Sequence, residues 1–353
     1  MAELKVWVVS VSFRSAQLMV DCLRSVASER ATTPGVTLRA VVVDNASGDY
    51  PLLSQAVAGN GWNSWVSLIA APRNGGFGYG NNLGIRLAIE NGADYVLLLN
   101  PDTEIRPRAI ASWVAFMQSH PRVAIAGPSF ENRDGTEWPI AFRFPSIGSE
   151  FCAALGVGLV TRLLGDRTVA RRMPASAQQV DWVSGAAMMI RSELFAAIGS
   201  FDENYFLYFE ETDLCFRAAR AGFATWYFPE SRVMHIMGQS TELVLESGSK
   251  PKRLPAYWFE SRRRYLAGSL GAAAAMLADL LVLIAYPLGY LKQILLGRAH
   301  TTVPHYLRDF WRHSILRAQN RQRDPVHTCI PARREEPSPP RAKQSPASGT
   351  PLG

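Results

Sequence analysis

Three features of this chain carry side chains able to do chemistry, and they lie far apart in sequence. Asp102 closes Tyr95-Val96-Leu97-Leu98-Leu99-Asn100-Pro101-Asp102, where an apolar run stops at an amide, a rigid ring and a carboxylate. Glu210-Glu211-Thr212-Asp213 groups acids, and His235 follows Arg232-Val233-Met234. A hard divalent cation that keeps waters and grips a diphosphate would take a carboxylate and an imidazole, leaving its other positions to substrate oxygens. Asp102 and His235 suit that task. Each feature also has an ordinary structural reading. Asn-Pro-Asp is turn chemistry after a strand, a histidine at a strand end is commonly half-buried, and acids before Leu214 are what a helix start prefers. Taken singly, the ordinary readings are the stronger.

These residues need elements to bring them together. Residues 6–11, 40–44, 66–70 and 95–99 are short, nearly continuous apolar runs that read as strands covered on both faces. Between them, residues 15–28, 50–58 and 81–91 fit helices, which predicts an α/β fold with a parallel, doubly wound sheet at its start. Ligands bind beyond the carboxyl ends of such strands. Here those ends read Ser12 to Arg14, Asp44-Asn45-Ala46-Ser47, Arg73-Asn74-Gly75-Gly76 and Asn100-Pro101-Asp102. Further on, the pattern predicts a helix over 106–120, a hairpin from 123–130 through the turn at 132–135, and one strand over 180–190. A short helix from Ser192, a helix over 214–221 and two short strands at 225–228 and 232–236 follow. Residues 140–180 read as loop or small helices facing a partner. Gly76-Phe77-Gly78-Tyr79-Gly80 follows the third strand and lacks the GxGxxG spacing, which excludes a dinucleotide fold; its glycines suggest close backbone approach to a ligand.

With 353 residues, 48% of them hydrophobic, the chain can bury a full core. Cys22, Cys152, Cys215 and Cys329 are widely spaced, so neither a zinc site nor a disulfide framework is expected, and a reducing compartment is. The N-terminus shows no signal-peptide pattern, and a cytoplasmic location is expected. The net charge of +7 is concentrated near the C-terminus, where residues 250–323 hold thirteen Lys or Arg against Glu260, Asp279 and Asp309. Residues 266–296 are long enough to cross a bilayer, which takes about 20 apolar residues. Asp279 and Pro287 argue against spanning, so the expectation is one or two helices against the inner leaflet, with Arg262, Arg263 and Arg264 on anionic headgroups. A long apolar helix beside arginines suits lipid better than nucleic acid, and no nucleic-acid module accompanies it. The Pro- and Ser-rich residues 325–353 read as a disordered tail. The expected organisation is a domain over 1–255, a basic and apolar helical membrane-association region over 256–324, and that tail.

In order along the chain, Val41-Val42-Val43-Asp44-Asn45-Ala46-Ser47, Asn74-Gly75-Gly76-Phe77-Gly78-Tyr79-Gly80-Asn81-Asn82, Leu98-Leu99-Asn100-Pro101-Asp102, Ser184-Gly185-Ala186, Phe201-Asp202-Glu203, Phe209-Glu210-Glu211-Thr212-Asp213-Leu214-Cys215-Phe216-Arg217 and His235-Ile236-Met237-Gly238-Gln239-Ser240 resemble the family 2 inverting glycosyltransferases. The likeness runs over roughly residues 4–265 and is greatest to the rhamnosyltransferase-like branch, which uses dTDP-L-rhamnose. It implies a GT-A fold, a mixed sheet flanked by helices, and a nucleotide-sugar donor with Mg2+ or Mn2+.

By that resemblance, Asp44 meets the nucleobase with the loop at Ser10 to Ser12 beside it. Asn45, Arg73, Asn74, Gly75 and Asn100 line the nucleotide cleft, and Asp102 and His235 hold the metal. The catalytic base falls at Glu211, with Asp213 the neighbouring candidate. Asp202 and Glu203 are weaker candidates for acceptor contacts, with a turn or cap role at least as plausible. The implied acceptor is a lipid-linked saccharide, placing the chain at the cytoplasmic face of the inner membrane in polysaccharide or cell-envelope assembly.

Overall fold

The computed structural model describes residues 3–138, 140–156, 169–173, 175–236, 251–297 and 302–321. The chain begins with β1 (Leu4–Ser12), α1 (Ala16–Thr32), β2 (Val36–Asp44), α2 (Tyr50–Gly59), β3 (Val66–Ala70), α3 (Phe77–Glu90) and β4 (Tyr95–Leu99). Alternate residues of β1 serve opposite cores, Val6 and Val8 on one face and Trp7 and Val9 on the other, which is why the strand is apolar throughout. β1 pairs in parallel with β2 and β4, and β2 with β3. Their carboxyl ends share one edge, as the repeated strand and helix pattern requires.

Beyond β4 the sheet becomes mixed. The next elements are β5 (Thr103–Ile105), α4 (Ala109–Ser119), β6 (Val123–Glu131), β7 (Glu137–Trp138), β8 (Ile140–Phe142), α5 (Ile147–Leu155), β9 (Ala170–Arg172), β10 (Gln178–Val180), β11 (Ala187–Arg191), α6 (Ser192–Ile198), α7 (Glu210–Arg220) and β12 (Ala224–His235). The strand order is β10-β12-β6-β11-β4-β1-β2-β3, with β11 antiparallel to both β4 and β6. β5 lies antiparallel to the end of β12.

Several expectations change. The single strand expected over 180–190 is two, because β10 pairs with β12 while β11 pairs with β4, and Ser184-Gly185-Ala186 turns between them. The two short strands expected over 225–236 are one, with a register shift between Phe228 and Arg232 where Pro229 cannot donate to the ladder. Residues 140–180 include α5, which opens with a Ser146 and Ser149 capping box and packs on this chain's own C-terminal helix.

That C-terminal part breaks at Gly271 (φ 85) into α8 (Ala256–Leu270) and α9 (Ala272–Leu295), followed by α10 (Tyr306–His313). The expected contact of Arg262, Arg263 and Arg264 with headgroups is not found. Arg262 and Arg263 are only 3% and 7% exposed. Arg262 bonds Asp279 at 2.7 Å and Glu150 at 2.6 Å, Arg263 donates to the His313 carbonyl, and Arg264 pairs with Asp202 at 2.7 Å. A cation out of water needs such partners, and here all of them belong to the protein. Asp279 also accepts from the Ser314 hydroxyl and the Ile315 N–H, so it faces protein and not lipid.

The opposite face of α9 exposes Leu277, Leu280, Ile284, Leu288, Leu291 and Leu295 at three- and four-residue spacing. By length and composition α9 could cross a membrane, with a third of its apolar window buried in the protein. Cys22, Cys152 and Cys215 are buried free thiols. Residues 325–353, expected to be disordered, lie outside the described residues.

Arg262 joins α5, α8 and α9, so removing its charge should be costly. Arg262→Met strands two carboxylates in the interior and is expected to lower stability by about 3–5 kcal/mol. Urea denaturation in detergent reads this directly; a loss below about 1 kcal/mol would show that Glu150 and Asp279 do not depend on it.

Candidate active site

The pairing of β5 with β12 sets Thr103 opposite His235, and the Ile236 N–H donates to the Asp102 carbonyl at 2.9 Å. His235 Nε2 thereby stands 3.5 Å from Asp102 Oδ1. The Asp102 side chain is fully enclosed, yet neither of its oxygens has a hydrogen bond, and His235 Nδ1 has none. The Phe130 and Trp138 rings wall the imidazole. A buried carboxylate without donors is expensive unless something positive completes it. This oxygen and nitrogen pair fits a divalent cation. Among the described residues no cluster of three or more His, Cys, Asp or Glu surrounds it, so bound oxygens would have to fill the remaining positions.

The second acidic group opens α7, one turn earlier than the periodicity suggested. Tyr208 and Phe209, just before it, have φ of 70 and 69, a left-handed conformation that aromatic residues adopt only under constraint. Burial pushes the Glu210 carboxyl well above its usual range, and the neighbouring Glu211 charge pushes it further. Burial raises Glu211 too, opposed by N–H groups of Glu211, Gly185 and Thr212. Glu211 is half-buried and its Oε2 lacks a hydrogen bond. Asp213 is instead clamped by Arg217 at 2.7 Å, and Arg217 is itself fixed on the Ile198 and Ser200 carbonyls.

One connection joins the two groups. The Asn100 N–H donates to the Ala186 carbonyl at 2.8 Å, beside Gly185, whose N–H reaches Glu211. Asp102, His235 and Glu211 therefore lie on the same sheet edge.

The residues expected to line a nucleotide cleft lie at the carboxyl ends of the parallel strands and are mostly bonded to one another or to neighbouring backbone. Asp44 accepts from the Ser47 N–H and hydroxyl and from the Tyr50 N–H, holding the turn into α2. Asn45 donates to Asn74 Oδ1 at 3.0 Å and the Gly76 carbonyl at 3.1 Å, and accepts from the Gly75 N–H. Ser10 and Ser12 are buried residues of β1 and not of a loop; Ser10 donates to the Leu99 carbonyl and Ser12 meets the Ser15 hydroxyl. Arg73 is exposed, its guanidinium 4.4 Å over the Tyr79 ring.

The glycine loop approaches protein. At Gly76 (φ 90) an added Cβ would fall 1.9 Å from the Phe206 carbonyl oxygen, and at Gly80 it would fall 2.7 Å from Val11. Asp202 accepts from Asn204 and Arg264, and Glu203 from Asn82, so both brace a turn. Sequence reasoning missed Asn82, which holds Phe201 through both ends of its amide, and Arg264, whose signal was absorbed by the arginine run around it. The Gly238-Gln239-Ser240 part of the histidine motif lies outside the described residues.

The family description "Glycosyltransferase like family 2" matches residues 4–252. The chain belongs to that family. Among curated relatives, this family 2 chain is 32% identical over 149 residues to the N-acetylglucosaminyl-diphospho-decaprenol L-rhamnosyltransferase of Mycobacterium tuberculosis, covering 42% of this chain and 48% of that one. It is 26% identical over 164 residues to the rhamnosyltransferase WbbL of Escherichia coli K12, covering 45% and 60%. It is 27% identical over 176 residues to the dTDP-rhamnosyl transferase RfbF of Shigella flexneri, covering 50% and 54%. The matches span about half the length of these relatives.

Two solved structures show the fold, GT-A. GalNAc-T7 with UDP, GalNAc and Mn2+ aligns at a TM-score of 0.54 and 14% identity, over 88% of this chain and 57% of that one. Staphylococcus aureus TarS 1–349 with UDP-GlcNAc aligns at 0.51 and 13%, over 88% and 79%.

The raised Glu210 carboxyl has a consequence for stability. A raised folded-state value in an acid favours the folded state fully below the unfolded value, near 4.5, and that contribution is lost as pH climbs through the folded value. Glu210→Gln should therefore flatten the fall in Tm between pH 4.5 and pH 8. Parallel thermal melts of the parent and variant check this, and parallel curves would mean that Glu210 ionises without penalty.

Proposed function

We propose that this family 2 chain is an inverting glycosyltransferase that moves L-rhamnose from dTDP-L-rhamnose onto a lipid-linked glycan in polysaccharide or cell-envelope assembly. The observation that carries the reading is the enclosed, unpartnered Asp102 carboxylate beside His235, with the buried Glu211 Oε2, also without a hydrogen bond, on the same edge. The rhamnosyl donor comes from the relatives named above.

In this reading Asp102 and His235 would hold Mg2+ or Mn2+, and the bound ion would supply charge to offset that developing on the departing nucleoside diphosphate. Glu211 takes the proton of the acceptor hydroxyl as its oxygen bonds to the anomeric carbon and the carbon–oxygen bond to the diphosphate breaks. Gly185 orients Glu211, and burial pushes the neighbouring Glu210 carboxyl well above its usual range, which disfavours a second charge beside the base. The loop of Asp44, Asn45, Arg73, Asn74 and Gly75 receives the nucleoside, with Ser10, Ser12 and Asn100 supporting it from beneath. Arg73 is an exposed cation there.

The membrane side of the reading rests on α9. Its exposed leucine and isoleucine stripe would enter the inner leaflet at the cytoplasmic face. Trp311 and the exposed Arg308 and Arg312 on α10 suit the headgroup level, replacing the buried arginines of α8 in that role. Residues 1–255 would then be the catalytic part and residues 256–324 the membrane-associating part.

Calorimetric titration with dTDP and UDP, with and without Mn2+, tests the donor. Metal-enhanced preference for dTDP is expected, whereas preference for UDP would keep the mechanism and replace the sugar. Glu211→Gln should slow transfer by about 10²- to 10⁴-fold with dTDP affinity retained. Were Asp213→Asn to do this and Glu211→Gln not, the base would be Asp213. Asp102→Asn should remove the effect of Mn2+ on dTDP binding.

For the membrane, the double variant Ile284→Glu with Leu288→Glu should pass to the soluble fraction with an unchanged far-UV spectrum. Persistent membrane recovery would exclude the α9 stripe. A truncation at residue 262 is a poorer test because it also strips Arg264 from Asp202.

A further inference from the structure

The segment before α7 divides its aromatic residues between two surroundings. Tyr205 and Phe209 enter the core with Tyr265. Phe206 and Tyr208 do not; they gather around Tyr257 of α8, with ring centroids 5.3 Å apart for Phe206 and Tyr257 and 6.3 Å apart for Tyr208 and Tyr257. Phe206 is 38% exposed, and Tyr208 and Tyr257 are half-buried. Both sides of this shelf are braced. The Ser261 hydroxyl donates to the Leu207 carbonyl at 3.0 Å, and Arg264 holds Asp202.

Its position is fixed by two contacts. The Phe206 carbonyl accepts from the Phe77 N–H at 2.9 Å and lies against Gly76, so one side of the shelf joins the Arg73-Asn74-Gly75-Gly76 loop. On the other side Tyr208 is three residues before Glu211. The rings thus stand between the loop that would receive the nucleoside and the carboxylate that would take the proton. Tyr208 keeps a left-handed backbone, φ 70, in doing so.

We propose that Phe206, Tyr208 and Tyr257 form the platform on which the acceptor sugar stacks, turning its hydroxyl toward Glu211. The inference rests on the transferase reading above and names its acceptor subsite. A pyranose has an apolar C–H face that packs on aromatic rings and a polar rim that does not. Stacking fixes the plane of the sugar, and a fixed plane brings one hydroxyl into line with the anomeric carbon. A three-ring surface with its core-facing neighbours turned away suits one sugar ring of the lipid-linked acceptor.

The test uses the full chain in detergent, dTDP-L-rhamnose as donor and farnesyl-diphospho-N-acetylglucosamine as acceptor probe. Phe206→Ala and Tyr257→Ala should each raise the acceptor KM by about five- to tenfold. The donor KM, dTDP binding and Tm should stay unchanged, and Phe206→Tyr and Tyr257→Phe should restore the acceptor KM. An unchanged acceptor KM in both alanine variants would overturn the platform, as would a donor KM that rises in step. If the parent protein binds dTDP but transfers nothing to the probe, the lipid-linked acceptor reading fails first and this subsite fails with it.

Discussion

A single backbone hydrogen bond, from the Asn100 N–H to the Ala186 carbonyl, is where the two halves of this site meet. It continues the antiparallel ladder of β4 and β11 one step past the last paired residues, Leu99 and Ala187. On the β4 side the chain then turns through Pro101 to Asp102. On the β11 side Gly185 presents its N–H to Glu211. In the proposed reading Asp102 would hold a metal and Glu211 would act as base, and the two would need a defined separation because the anomeric carbon must fit between them in line. Ladder geometry would supply this more rigidly than loops could, and the reversal of β11 between β4 and β6 makes it possible.

The same logic explains which parts of the molecule were legible in its sequence. The parallel half was readable because each strand is buried on both faces and ends in polar turn residues, a local signal. Asp102 and Glu211 were legible as candidates for their type and position. That Arg217, anchored to the Ile198 and Ser200 carbonyls, ties up Asp213 and leaves Glu211 Oε2 without a partner was not, being a tertiary fact with no local mark. The merging of two expected strands into β12, and the splitting of one into β10 and β11, were also hidden, since pairing partners and not propensity decide where a strand stops. The left-handed Tyr208 and Phe209 leave no trace either, because aromatic residues are among the last that one expects there.

Charge was the most misleading signal. The Arg262-Arg263-Arg264 run beside an apolar stretch has the composition of a headgroup-binding segment, and composition cannot show that Asp279, seventeen residues on, folds back to meet the first arginine. Once they pair, both readings change together. The acid that argued against spanning is withdrawn into the protein, and the exposed leucine and isoleucine stripe of α9 remains. The arginines cease to be surface groups, and exposed cations lie to either side, at Lys252 and Arg253 before α8 and at Arg308 and Arg312 on α10.

That folding back also gives α8 two obligations. Through Arg262 it holds α9, and through Ser261 and Arg264 it holds Leu207 and Asp202 in the segment leading to Glu210 and Glu211. These residues are close neighbours on one short stretch of helix, so a shift large enough to loosen one contact would disturb the others, since packed interiors do not deform continuously. The strained backbone at Tyr208 and Phe209 lies inside this bracket, where strain is tolerated only if the surroundings over-determine it. The C-terminal helices are therefore part of what shapes the segment leading to Glu210 and Glu211, and the family match that ends at residue 252 stops just short of the helix that braces it.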